Sequence, residues 1–332
     1  MFILDSYALA VVFCIITMLC WGSWANTQKM VAGTWRFELY YWDYAAGILI
    51  FSIISALTLG SSGDVGRGFM ADLAQADASN LWSAFIGGAV FNLSNILVVA
   101  AISIAGMAVA FPVGIGLALV LGVIVNYMAE PAGDATLLFL GTALIAVAIV
   151  VDAMAYKRLP GQKGVSNKAL ILAVVGGILM GFFYRFVAAS MSIDFVNPEV
   201  GKLTPYTAVV LFSLGLFVSN FILNTILMKR PFVGDPVGFK DYFAGSGKAH
   251  LAGLLGGIIW NIGMSFSIIA SGKAGFAISY GLGQGATMVA SIWGVFIWKE
   301  FQGAPPGTNK LVGIMFAAFV IGLSLIVYAR IA

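Results

Sequence analysis

Several amide and phenol side chains lie inside stretches of the chain that are otherwise apolar. Asn92 and Asn95 are three residues apart, Tyr280 and Gln284 are four apart, and Asn261 stands in a similar stretch. Residues three or four apart share a helix face, so each pair presents two polar groups together. Such groups hydrogen-bond either to a bound solute or to a neighbouring helix, and the sequence leaves both roles open for them.

Aromatic side chains in the same stretches supply flat surfaces. Trp21 and Trp24 are three residues apart, and Tyr184 lies at a corresponding place in the second half of the chain. Aromatic rings stack on planar or ring-shaped solutes, and tryptophan also anchors helices at a membrane interface. We expect these three side chains to bind solute, with interface anchoring as the alternative for the two tryptophans.

Charged residues inside these stretches are few. A partly desolvated Asp43 carboxyl could carry a proton, or it could pair with a lysine or arginine at headgroup level. Asp152 precedes Lys157 and Arg158, which favours the headgroup role at that position. Arg185 is far from both ends of its stretch, so it either snorkels towards water or binds an anion.

The chain is poor in the residues that most enzymes and metal sites use. It holds one histidine, His250, and two cysteines, Cys14 and Cys20, which lie in one apolar stretch. A zinc site or a disulfide framework needs more of these residue types. The run 245–248 lacks the first glycine and the Ser/Thr of a phosphate-binding loop. We therefore expect no enzyme activity, no metal and no cofactor, and the lack of a basic patch indicates no nucleic-acid partner.

The composition identifies lipid as the main solvent of the chain. Of 332 residues, 61% are hydrophobic and 9% are charged, against roughly 45–50% and 25% in soluble domains. Mean hydropathy is +1.00. A spanning helix needs about 20 mostly apolar residues, and ten stretches qualify: 6–27, 38–60, 81–103, 107–128, 135–155, 169–192, 205–228, 249–271, 274–298 and 310–331.

Lysine and arginine are distributed unequally among the connecting loops. Most of them lie in loops 28–37, 156–168, 229–248 and 299–309. Cytoplasmic loops of membrane proteins carry such an excess. We therefore predict a multi-pass protein of the cell (inner) membrane, with these loops in the cytoplasm and both termini external or periplasmic.

The two halves of the chain share a sequence pattern. Residues 87–116 align without gaps on residues 256–285, so that Gly87-Gly88 pairs with Gly256-Gly257 and Phe91-Asn92 with Trp260-Asn261. The copies lie five predicted helices apart, an odd number, and so must cross the membrane in opposite directions. The pattern predicts an all-α integral membrane protein with ten transmembrane helices in a five-plus-five inverted repeat, residues 1–160 and 161–332. Chance similarity of Gly/Ala-rich helices is the alternative; inverted repeats are typical of secondary transporters.

Helix-breaking residues occur at equivalent places in the two copies. Pro112 interrupts the fourth predicted span, and Gly281 and Gly283 loosen the ninth. A broken membrane helix frees backbone carbonyls that can bind a solute or an ion. We expect these breaks to form part of the site, with a packing kink as the alternative.

Short motifs along the chain resemble the ureide permeases. They are Cys20 to Asn26, Tyr41 to Tyr44, Gly87-Gly88 with Asn95, Asn126-Tyr127, Tyr206-Thr207-Ala208 through Asn224, and Ser291 to Gly294 leading to Glu300. That family is grouped with bacterial glucose/ribose and rhamnose porters in the drug/metabolite transporter (DMT) superfamily. The resemblance implies a ten-helix DMT/EamA-like fold and proton-coupled uptake of small neutral polar solutes, with Asp43 as the proton-coupling residue. The chain departs from the pattern by its short central loop and by Arg185.

These observations together predict a secondary active transporter. Our first interpretation is proton symport of a ureide, nucleobase or monosaccharide by alternating access, with a proton gradient as driving force and sodium as the other candidate ion. In a second interpretation the protein has the same fold but transports an organic anion or a drug, with Arg185 as the residue that binds the anion. A third is a passive facilitator. The expected partners are a small-molecule substrate and the lipid bilayer, and the protein is either a monomer or a homodimer.

Overall fold

The computed structural model describes residues 1–105, 111–160 and 166–332. Within these ranges the chain is helical and forms no β-strand beyond one isolated bridge between Met191 and Leu203. The all-α membrane fold predicted from composition is therefore confirmed. Residues 106–110 of the first repeat copy and part of the predicted central loop, 161–165, lie outside the described residues.

Fourteen α-helices follow one another along the described part of the chain. They are α1 (Tyr7–Ser23), α2 (Ala25–Val31), α3 (Phe37–Leu57), α4 (Phe69–Gln75), α5 (Ala78–Ala105), α6 (Gly116–Ala129), α7 (Ala135–Lys157), α8 (Asn167–Ser190), α9 (Pro205–Lys229), α10 (Phe239–Phe243), α11 (Gly247–Ala274), α12 (Phe276–Gly283), α13 (Ala286–Ile292) and α14 (Thr308–Tyr328). A π-helical turn, Phe111–Ile115, precedes α6, and a second, Trp293–Ile297, follows α13.

Nine helical segments within the described ranges are long and apolar enough to span a membrane; the first, Tyr7–Val31, joins α1 and α2, and the fourth, Pro112–Ala129, joins α6 to the turn before it. They correspond to nine of the ten predicted segments. The remaining segment, 274–298, is divided among α12, α13 and the second π-helical turn, so no single helix in it reaches the required length. The count is compatible with ten crossings.

Both chain termini lie at the same end of the helix bundle, which we call the terminal end. The Tyr7 hydroxyl donates to the Val327 carbonyl at 2.7 Å, and the Met1 amino group donates to the Val65 carbonyl at 2.7 Å. This arrangement requires an even number of crossings. At the opposite end Lys29 pairs with Glu300. The described parts of loops 28–37, 156–168, 229–248 and 299–309 lie there, and we call it the basic end. That the basic end faces the cytoplasm stays a prediction.

Helix packing repeats between the two halves. Helix α5 packs on α8 and α9, and α11 packs correspondingly on α1 and α3. Helix α5 starts at the terminal end, where the Asp77 amide donates to the Gly201 carbonyl at 2.9 Å. Helix α11 starts at the basic end, where His250 contacts Trp35. The two therefore run in opposite directions, as an inverted repeat requires, although the division at residue 160 stays a prediction.

Two glycines let the equivalent helix pairs approach closely. A Cβ on Gly88 would lie 1.9 Å from the Phe212 carbonyl oxygen, and a Cβ on Gly257 would lie 2.0 Å from that of Tyr44. No side chain fits at either crossing, so backbone packs on backbone, as is common where membrane helices associate through small residues.

The asparagine that follows each glycine pair fastens the same crossing. The Asn92 amide donates to the Leu216 carbonyl at 3.2 Å, and the Asn261 amide donates to the Ile48 carbonyl at 2.6 Å. Ile48 and Leu216 are as far apart in the chain as Tyr44 and Phe212 are. The glycine and asparagine contacts of one crossing are thus repeated at the other by residues that correspond in the sequence repeat.

Candidate functional site

A cavity of about 420 Å³ lies between the two halves and opens towards the basic end. Residues of α1, α2, α5, α7, α8, α11 and α13 line it, together with both π-helical turns. Of the predicted site residues, four contribute to its walls: Trp21, Trp24, Asn95 and Gln284. Their role in binding a solute stays a prediction.

The rings of Trp21, Phe91 and Trp260 form one part of the cavity wall, which we call the aromatic floor. Two glycines leave room for the Trp21 ring. A Cβ on Gly263 of α11 would lie 2.6 Å from the indole, and a Cβ on Gly283 at the end of α12 would lie 2.8 Å from it. The indole N–H donates to the Trp260 carbonyl at 3.1 Å, and the two indole rings are stacked with centroids 5.8 Å apart. The ring is thereby fixed in one orientation at the cavity surface.

Phe91 and Trp260 complete the floor. Their ring centroids are 4.5 Å apart, and both side chains are buried except where they face the cavity. These two residues are partners in the sequence repeat, one from α5 and one from α11. Sequence reasoning did not select them as site residues, although their alignment ahead of Asn92 and Asn261 was the signal that could have identified them.

Two amide side chains supply polar groups above this floor. The Asn95 amide nitrogen donates to the Tyr41 hydroxyl at 3.1 Å, which orients the side chain and leaves its carbonyl oxygen to the cavity. Gln284 lies between α12 and α13, half-buried, and its side chain has no hydrogen-bond partner among the described residues. An ordered acceptor and a free amide therefore face the same space.

The cavity mouth carries the charged groups of the site. Lys29 Nζ lies 2.5 Å from Glu300 Oε1 and 4.4 Å from the centre of the Trp298 ring. The Tyr156 hydroxyl donates to the other Glu300 oxygen at 2.7 Å. The Trp298 indole donates to the Asn26 side chain at 2.6 Å. This cluster ties α2 and α7 to the segment after α13, and sequence analysis did not select it.

Four predicted site residues lie outside the cavity, where their side chains join helices. They are Asn92, Asn261, Tyr184 and Tyr280. The Tyr184 hydroxyl shares a hydrogen bond with Ser267 at 3.0 Å. The Tyr280 hydroxyl donates to the Ala118 carbonyl at 3.0 Å. In this conformation all four are fully buried and hold neighbouring helices together.

Arg185 also lies outside the cavity. It is close to Glu130 at the terminal end of α6. Burial raises the pKa of the Glu130 carboxyl, and the positive charge of Arg185 opposes that rise. The guanidinium is therefore not placed to bind an anion in the cavity of this conformation.

Asp43 faces the basic end rather than the cavity. Its carboxylate accepts a hydrogen bond from the Tyr242 hydroxyl at 2.6 Å and lies 2.9 Å from His250 Nδ1. Burial, together with this hydrogen bond and the negative charge of Asp43, raises the pKa of the Tyr242 phenol. The cluster fastens the loop before α11 to α3. Among the described residues, this cluster included, no three His, Cys, Asp or Glu side chains are grouped closely enough to hold a metal ion.

None of the three predicted helix-breaking residues is itself among the residues that line the cavity. Pro112 is in the π-helical turn before α6, and Gly283 is the last residue of α12. Gly281 lies inside α12 and does not interrupt it. The break between α12 and α13 leaves Gln284 outside both helices and so exposes its side chain to the cavity.

Comparison with known proteins places the chain among transporters. The sequence model described as "Ureide permease" matches residues 157–329, just over half of the chain. Ureide permease 1 and ureide permease 4 of Arabidopsis thaliana are 22% and 23% identical to it, over 98% of this chain and 98% of each relative. Transmembrane protein 144 homolog B of Dictyostelium discoideum is 26% identical over 44% of this chain and 38% of its own length. One crystal structure matches with a TM-score of 0.60 and 15% identity over 97% of this chain and 98% of that chain, which shows a shared fold alone. The chain therefore belongs to the ureide permease family.

Proposed function

We propose that this protein takes up a small, neutral, polar solute of the ureide class by proton-coupled alternating access. Family membership makes the chain a membrane transporter and not an enzyme. The substrate class is suggested by the names of the relatives. The observation that carries the proposal is the cavity between the halves, where an aromatic floor meets two amide groups.

The cavity suits a solute with a flat, hydrogen-bonding ring. Its volume of about 420 Å³ falls within the roughly 300–1,000 Å³ of small-molecule sites. Stacking on an aromatic ring is worth about 1–3 kcal/mol for a nucleobase, and a planar ureide offers a similar face to Trp21. The Asn95 oxygen can accept from a ureide N–H, and Gln284 can donate to a carbonyl.

The charge distribution favours a neutral solute. Among the described residues that line the cavity, only Lys29 and Glu300 are charged, and they pair with each other at the mouth. An anion in the inner cavity would lose hydration without gaining a partner there, which is costly in a low-dielectric site. Nucleobases and monosaccharides satisfy the same requirement and are the competing substrates. With the basic end in the cytoplasm, this conformation would be the inward-open state.

Uptake of a radiolabelled cyclic ureide into proteoliposomes tests the proposal. We expect accumulation driven by an inward proton gradient and its loss when a protonophore collapses that gradient. Uptake that ignores the pH gradient would refute symport and support a passive facilitator, while dependence on a sodium gradient would identify sodium as the coupling ion.

Substitution of Trp21 in the aromatic floor tests the binding site. Trp21→Leu keeps much of the apolar volume and removes the aromatic face, so we expect ureide affinity to fall about 5- to 150-fold, which corresponds to about 1–3 kcal/mol. Trp82→Leu is the matched control because Trp82 is 60% exposed at the start of α5, outside the cavity. Equal affinities for the two variants would contradict a stacking role for Trp21.

A further inference from the structure

Asp152 is a buried acid without a cationic partner among the described residues. It lies on α7, is 4% exposed, and its Oδ1 atom accepts no hydrogen bond. The sequence predicted a headgroup-level residue paired with Lys157 or Arg158. Neither forms an ion pair with it, and the Arg158 guanidinium instead donates to the Pro306 carbonyl at 3.4 Å.

The groups around the carboxyl are neutral or acidic. From the facing segment the Ser291 hydroxyl lies beside it, and Glu300 adds a negative charge nearby. Tyr156 is one helical turn further along α7 on the same face. Helices α6 and α14 and the first π-helical turn also pack on α7, and the only charged residue that they contain is Lys310, in the first turn of α14.

An ionised carboxylate in such surroundings is expensive. Moving a carboxylate out of water costs several kcal/mol unless a cation or several hydrogen-bond donors replace the lost hydration. Asp152 has one neighbouring hydroxyl and no cation. Asp43 differs in this respect, because Tyr242 and His250 both contact its carboxylate.

Tyr156 and Glu300 are titratable groups that lie near Asp152 and also line the cavity. Tyr156 follows it by four residues and donates its hydroxyl proton to Glu300 at 2.7 Å. Glu300 is 27% exposed and pairs with Lys29, which is 43% exposed. A tyrosine hydroxyl both donates and accepts, so it can receive one proton while it passes its own to Glu300.

We propose that Asp152 is the proton-binding carboxyl of the transporter and exchanges its proton with the cavity mouth through Tyr156 and Glu300. The inference rests on the proposed proton-coupled function and names the group that carries the proton. For release, Asp152 gives its proton to the Tyr156 oxygen as the Tyr156 proton moves to Glu300, which then releases it to water; uptake is the reverse. Asp43, the residue predicted from the sequence, is then a loop-fastening group.

Infrared spectroscopy of the reconstituted protein tests protonation independently of transport. We expect the carbonyl stretch of a protonated carboxylic acid near neutral pH in the wild type and in Asp43→Asn, and its loss in Asp152→Asn. Asn has nearly the same shape as a neutral aspartic acid, so Asp152→Asn should fold. A band that persists unchanged in Asp152→Asn overturns the assignment.

Transport assays test coupling with the same variants. We expect Asp152→Asn to exchange ureide across the membrane in counterflow while gradient-driven accumulation falls to the equilibrium level, and Asp43→Asn to keep accumulation. A merely structural role would leave accumulation intact in any Asp152→Asn protein that exchanges substrate, and that result would overturn the proposal.

If Asp152→Asn neither exchanges nor accumulates, the pH dependence of ureide binding to detergent-solubilised protein decides, because only loss of a coupling carboxyl makes that binding independent of pH. Absence of pH-driven uptake in the wild type would count against the proposed function, while the infrared band would still report on Asp152.

Discussion

The glycine crossings offer a test in which two distant substitutions should have the same effect. Gly88→Ala introduces a Cβ only 1.9 Å from the Phe212 oxygen and 2.8 Å from the Leu216 nitrogen. Gly257→Ala introduces one 2.0 Å from the Tyr44 oxygen and 2.9 Å from the Ile48 nitrogen. In both places the obstacle is backbone, so rotation of a side chain gives no relief, and the two helices must separate.

The magnitude follows from that separation. Ordinary contacts need about 3.5 Å, so each helix pair must open by roughly 1.5 Å. Overpacking of this kind costs about 1–3 kcal/mol. The opening also stretches the hydrogen bond from Asn92 to Leu216, or from Asn261 to Ile48, which is worth about 0.6 kcal/mol in a membrane. We expect each substitution to lower the free energy of unfolding by about 2–4 kcal/mol.

Thermal unfolding of the detergent-solubilised protein measures the effect. Gly313→Ala is the matched control because it lies on an exposed face of α14 with nothing within 4 Å of the new Cβ; it should raise stability by up to about 1 kcal/mol, the gain in helix propensity that alanine brings at all three positions. Similar melting of Gly88→Ala and Gly313→Ala would refute the backbone contact. A large difference between Gly88→Ala and Gly257→Ala would show that the two crossings are not equivalent.

The two polar clusters of the basic end give further predictions. Tyr242→Phe removes one hydrogen bond to Asp43 and should lower stability by about 1 kcal/mol. Because the Tyr242 pKa is raised, the neutral phenol donates at all pH values below its ordinary pKa of about 10, and this contribution is lost only as pH rises through the raised value. In chemical denaturation, Tyr242→Phe should therefore lose the same amount of stability relative to the wild type at pH 8 and at pH 9. Equal stability of the two proteins at pH 9 would contradict a raised Tyr242 pKa. Lys29→Gln breaks the ion pair with Glu300, but because the lysine is 43% exposed we expect a loss of only about 0.2–1 kcal/mol; a loss above 2 kcal/mol in thermal unfolding would show that the mouth is far less hydrated than it is here.

Much of the fold could be predicted because membrane helices are specified by local composition. The prediction of 81–103 corresponds to Ala78–Ala105, and that of 205–228 corresponds to Pro205–Lys229. The divided segment 274–298 could be anticipated from its glycines, but not the place where Gln284 leaves the helix. That place depends on packing against α1 and α6, to which no local pattern refers.

The site was less predictable because it depends on which way a side chain faces. Asn92 and Asn95 lie on adjacent parts of one helix face, yet the first bonds to α9 and the second borders the cavity. Periodicity gives their relative angle but not the position of the neighbouring helices. Likewise, Asp43 and His250 are 207 residues apart, and nothing in the sequence indicated that they meet. The sequence places Asp152 close to Lys157 and Arg158, whereas in space it faces Ser291.

The buried contact between Tyr184 and Tyr280, whose ring centroids are 5.2 Å apart, has a consequence for the direction of solute movement. Tyr184 corresponds in the repeat to Trp21, so the two tyrosines occupy the place towards the terminal end that Trp21 occupies towards the basic end. If the halves exchange their conformations during transport, this contact is the seal that must part to admit solute from the far compartment. Residues that now only join helices would then form the entrance, and a covalent crosslink between the two tyrosine positions would trap the carrier in a state that loads and unloads from one side only.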